Sequence, residues 1–83
     1  MRARDAYRVV VGRSGHAPSL LSGPDRVDQV EVVDLADGES VLFWDLAPRD
    51  ATRVARVLRE DLNGLDAEAF LARWSAVSDP TRR

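Results

Sequence analysis

The segment that most constrains this chain is Ser40 to Leu46, a strand-like run whose centre, Val41-Leu42-Phe43-Trp44, is apolar at four consecutive positions. Side chains of a strand alternate between the two faces of a sheet, so Leu42, Trp44 and Leu46 point one way while Val41 and Phe43 point the other. A sheet containing this strand therefore has two apolar faces to cover. The chain has only 83 residues to cover them with, enough for one domain and too few for two independent cores.

The surrounding sequence predicts what the strand pairs with. Val27 to Leu35 reads as a preceding strand in which Val30 and Val32 share one face and Val33 and Leu35 the other, with Glu31 and Asp34 interrupting each series. Such imperfect alternation fits a bulge or burial on both faces. Asp37-Gly38 between the two runs supplies the positive φ angles of a tight hairpin, with a longer connection over Ala36 to Glu39 as the alternative. A first strand is expected over Ala6 to Gly12, on the β-branched run Val9-Val10-Val11. Arg13 to Asp25, rich in Gly, Pro and Ser, reads as a mobile loop dispensable for folding, which Leu20 and Leu21 could pin to the core.

Two helices follow. Pro48 suits a first helical turn and Asp50 favours its positive dipole end, while Ala51, Val54, Ala55, Leu58 and Leu62 form one apolar stripe. This helix should run from Pro48 to Asn63, ended by Gly64 in the left-handed conformation with Leu65 making the hydrophobic contact of a Schellman-type end. Asp66 caps a second helix over Ala67 to Ser78, with Phe70, Leu71, Trp74 and Val77 on one face and Asp79-Pro80 as its stop. Residues 1–5 and 80–83 read as frayed ends. The expected fold is a single α+β domain of order β-β-β-α-α, a three-stranded, mostly antiparallel sheet with both C-terminal helices packed on one face.

A core of this size contributes about 3 to 5 kcal/mol, and small domains commonly add a staple. With no cysteine and one histidine, His16, neither a disulfide framework nor a closed metal site is available. Oligomerisation is the staple left. The net charge of −2, with both signs interspersed, does not make nucleic acid the default partner. No apolar run approaches a membrane span, and the charged start Met1-Arg2-Ala3-Arg4-Asp5 lacks the apolar region of a secretory signal, so a cytoplasmic location is expected. All twelve basic residues are arginine, which we read as the imprint of a GC-rich, bacterial coding sequence.

Four constellations could carry function. His16, in a loop with Ser14 and Ser19, could act as a general base, but a phosphate-binding loop of Walker type needs a lysine and the chain has none. Asp45 and Asp50, with Asp34 and Asp37, lack any recognised metal-ligand spacing, and turn and helix-start chemistry accounts for Asp37 and Asp50. Arg49, Arg53 and Arg56 form a stripe opposite the Leu58 face, flanked by Arg59 and interrupted by Glu60; it could track an anion or stay solvated. Tyr7, Phe43 and Trp44 could stack bases, but the basic, glycine and aromatic run of RNA-recognition folds is missing, which favours core or interface packing.

In Asp37-Gly38, Asp45-Leu46 and the Ala51, Val54, Leu58 helix, the stretch Val30 to Leu62 resembles the strand-turn-strand-helix dimerisation segment of the H-NS-like nucleoid proteins of actinobacteria. The resemblance covers about half of the chain and implies dimerisation. The Arg-Gly-Arg hook by which those proteins hold DNA is absent, so it implies no DNA bridging. The expected function is thus a non-enzymatic interaction or regulatory module, working as a homodimer or docked on another protein, with Val33, Val41 and Phe43 at the interface. The alternative is a nucleic-acid or anionic-ligand binder using Arg49, Arg53 and Arg56. No catalytic residue, cofactor or metal ligand is assigned.

Overall fold

Two layers, a sheet and the helices on it, make up the described part of the chain, residues 1–13 and 27–82 of a computed structural model, with Arg13 by its backbone only. Elements follow in the order α1 (Ala3–Ala6), β1 (Tyr7–Arg13), β2 (Asp28–Asp34), β3 (Ser40–Leu46), α2 (Pro48–Gly64) and α3 (Ala67–Ser75), and a 3-10 turn spans Pro80–Arg82. The strands form an antiparallel meander, β1-β2-β3, and α2 and α3 pack on one of its faces. This is the β-β-β-α-α arrangement expected from the sequence.

Register explains which residues meet the helices. Val9 pairs with Val32 and Val11 with Val30, while Val30 and Val32 stand opposite Trp44 and Leu42 on β3. Between Val32 and Val33 the pairing slips, from Val32 opposite Leu42 to Val33 opposite Ser40, leaving Val41 as the extra residue of a bulge. The extra residue lies on β3, and β2 itself alternates in burial from Asp28 to Val32, with Val33 and Asp34 both half-buried at its end. Val30 and Val32 are fully buried, and Leu42, Trp44 and Leu46 are half-buried on the same face.

The β2–β3 connection is the longer of the two expected forms. Gly38 alone takes a positive φ, 75°, while Asp37 does not. The turn is held by Asp34 N–H donating to the Glu39 carbonyl and Gly38 N–H to the Asp34 carbonyl, both at 2.8 Å, and by the Asp34 and Asp37 carboxylates accepting from the N–H groups of Ala36 and Glu39.

Every residue of the α2 stripe, Ala51, Val54, Ala55, Leu58 and Leu62, is buried. The helix runs through Gly64, which is not left-handed; Leu65 N–H donating to the Asp61 carbonyl closes the end instead, and this corrects the Schellman-type expectation. Asp66 caps α3 by accepting from Ala69 N–H at 2.9 Å. That helix stops at Ser75, three residues short of the expected Ser78, because Val77 N–H turns back to the Trp74 carbonyl in a tighter last turn. Phe70 and Trp74 are fully buried. Tyr7 stacks on Phe70 at 5.7 Å, and Trp44 meets Trp74 edge-on at 5.9 Å.

The Trp74 indole N–H donates to the Asp61 carboxylate at 2.8 Å, and Arg73 lies 3.4 Å from the same oxygen. Asp61 thereby ties α3 to α2. Asp61→Ala, which removes this acceptor from a buried donor, is expected to cost about 1 to 3 kcal/mol in urea unfolding.

Over the described residues neither end behaves as a frayed tail. Ala3 is fully buried, its N–H donates to the Leu65 carbonyl at 3.1 Å, and the Met1 carbonyl accepts from Ala67 N–H at 2.8 Å. Arg2 bridges to Asp66 and donates a guanidinium bond to the Asn63 carbonyl. At the other end Pro80 is buried and Arg53 holds the Thr81 carbonyl at 3.0 Å. The Thr81 hydroxyl and backbone N–H, with Arg82 nearby, hold the Asp79 carboxyl below its ordinary range. The loop expected over Arg13 to Asp25, with His16, Leu20 and Leu21, lies outside the described residues, except that Arg13 is the last residue of β1.

Candidate interaction surface

The face of the sheet turned away from the helices follows from the same register. Arg8, Val10 and Gly12 on β1, Gln29, Glu31 and Val33 on β2, and Val41, Phe43 and Asp45 on β3 alternate with the core-facing residues and so point outward. Val10 and Val41 are each 39 % exposed and Phe43 is 48 % exposed, while Val33 is half-buried among them. Scattered single apolar residues are normal on a surface; neighbouring ones on three adjacent strands are what marks a patch. Glu31 stands inside the patch, paired across the strands with Val10 on one side and Phe43 on the other.

All three residues expected at an interface, Val33, Val41 and Phe43, therefore lie on one face. Val10 was missed, although its place next to Val9, which faces the core, forces it to the opposite face. The bulge at Val41 adds local twist at the β3 margin of the patch.

The arginine stripe is partly engaged within the chain. Arg53 pairs with Asp50 at 3.4 Å and bonds the Thr81 carbonyl, Arg56 lies 3.6 Å from Glu60, and Arg49 is exposed. These are exposed pairs of small energy, yet they set two of the three guanidiniums against local acceptors. The aromatic set is divided: Tyr7 and Trp44 join the helix-covered core and only Phe43 faces out. Of the four carboxylates considered, Asp34 and Asp37 hold the turn, Asp50 pairs with Arg53, and Asp45 is exposed on the open face. Among the described residues no group of three or more His, Cys, Asp or Glu side chains is arranged to hold a metal ion, and no helix is long and apolar enough to cross a membrane. His16 lies outside the described residues.

No family model, no curated protein and no solved structure matches this chain, so the likeness of Val30 to Leu62 to the nucleoid-protein dimerisation segment gains no support from such comparisons.

Proposed function

We propose that the chain is a non-enzymatic interaction module whose open sheet face binds a second copy of itself. The observation that carries this reading is the run of Val10, Val33, Val41 and Phe43 across three strands, on the face that neither helix covers. Two further considerations favour a second copy as the occupant. A domain this small, with no cysteine, gains most from burying the rest of its apolar surface, and a two-fold pairing of one patch on itself needs no other surface to have co-adapted. Sheets stacked face to face about 10 Å apart interdigitate such side chains into a common core.

Glu31 limits the strength of this pairing. A two-fold axis through the centre of the patch brings each Glu31 near its counterpart, and two carboxylates in an apolar interface repel one another and lose hydration. Light scattering across micromolar concentrations is expected to show a monomer–dimer equilibrium. Phe43→Glu should shift it to monomer by at least about tenfold in dissociation constant, and Glu31→Gln should shift it the other way. A strict monomer throughout that range, with both substitutions silent, would remove the second copy as occupant. Docking on a different protein would then be the reading to test.

A further inference from the structure

Beside the free edge of β1 lies a concavity of about 300 Å³, where α1, the end of β2 and the last turns of α2 meet. Its lining includes three exposed arginines, Arg4, Arg8 and Arg59, above the buried side chains of Val9 and Leu62, and it contains no carboxylate. The arginines come from three different elements, α1, β1 and α2, so it is the fold that gathers them. They are also unengaged, as is Arg49 outside the hollow. Among the described residues Arg53, Arg56, Arg73 and Arg82 each pair with a carboxylate and Arg2 holds a carbonyl, whereas Arg4, Arg8 and Arg59 make no hydrogen bond or ion pair.

Three like charges around one hollow, in a chain with 14 acidic residues and a net charge of −2, are a local imbalance that a bound anion would relieve. We propose that this concavity binds a small organic anion, a phosphate or carboxylate carried on an apolar or aromatic body. Guanidinium forks suit both anions, holding them through paired, charge-assisted bonds. Val9 and Leu62 give the body an apolar floor, Tyr7 adds a ring at the margin, and the volume, at the small end for ligand sites, fits a single ring with its anionic group. A polynucleotide is the less favoured occupant, because the cations that would continue the track along α2, Arg53 and Arg56, already face Asp50 and Glu60. Arg8 also belongs to the open sheet face, so the two sites adjoin there, while Arg4 and Arg59 stand on α1 and α2.

The test uses phenyl phosphate as the probe, with inorganic phosphate, phenol and a single-stranded oligonucleotide alongside it, followed by amide NMR shifts of the full chain. Phenyl phosphate should saturate a single site with shifts concentrated at Tyr7, Val9 and Leu62, and should bind at least about tenfold more tightly than inorganic phosphate or phenol. Arg59→Gln and Arg4→Gln, both at exposed positions, should each weaken it about tenfold or more, while Arg49→Gln, which lies outside the concavity, leaves it unchanged. The absence of saturable shifts up to about 10 mM phenyl phosphate overturns the proposal. So do shifts that survive Arg59→Gln, or oligonucleotide binding where phenyl phosphate shows none. The substituted arginines, Arg4 and Arg59, are on the helices and not on the open sheet face, so light scattering with Phe43→Glu decides the dimer separately.

Discussion

Trp74→Ala should leave the protein largely unfolded at room temperature. The indole is fully buried, meets Trp44 edge-on and donates to Asp61, so truncation opens a large cavity and breaks the tie between α3 and α2 together. Removing a buried tryptophan costs about 3 to 5 kcal/mol, comparable to the whole net stability that one core of this size supplies. Far-UV circular dichroism against urea is the measurement, made at low protein concentration because any self-association adds concentration-dependent stability. Trp44 remains as a fluorescent reporter of the sheet. An unfolding midpoint within experimental error of the parent chain would mean that α3 does not hold the domain together through this side chain.

Trp74 was legible in the sequence because its partners recur at helical spacing, and the same holds for the whole α2 stripe. Periodicity reports burial wherever an element is long enough to repeat, and in α2 the stripe repeats over about three turns, from Ala51 to Leu62. The two-faced character of β3 was legible for the same reason, in period two. What was not legible is contact between segments far apart in the chain. Met1 to Asp5 has no period, and its partners are backbone atoms at residues 63 to 67, so nothing local distinguishes it from a tail. Arg4, Arg8 and Arg59 are likewise unrelated until the fold places them around one hollow. Helix ends failed differently. Gly64 permits a left-handed cap without requiring one, and the stop of α3 at Ser75 depends on a 3-10 closure, which sequence spacing does not separate from one more α-helical turn.

The docked N-terminus sets up the second large effect, Ala3→Asp. Ala3 has no exposed surface, and its methyl sits in the core cluster beside the α2–α3 turn, so a carboxylate there must either be buried without compensation or push the segment off. Burying the charge would cost more than the segment can repay, so the segment should undock. The loss is then capped by what docking contributes: the hydrogen bonds of Ala3 N–H, the Met1 carbonyl and Arg2 at about 0.5 to 1.5 kcal/mol each, with the burial of one methyl. That places the expected destabilisation at about 2 to 5 kcal/mol. The cap makes the prediction sharp, because a chain lacking residues 1–5 should lose the same amount, and combining that deletion with a charge elsewhere in the segment's path should add nothing further. Amide exchange would report the mechanism directly: in Ala3→Asp, protection should vanish at Ala3 and Ala67 while Val30 and Val32 keep theirs relative to the global stability. Unchanged protection at Ala67, or a deletion that leaves stability intact, would return the segment to the frayed end that its sequence suggests.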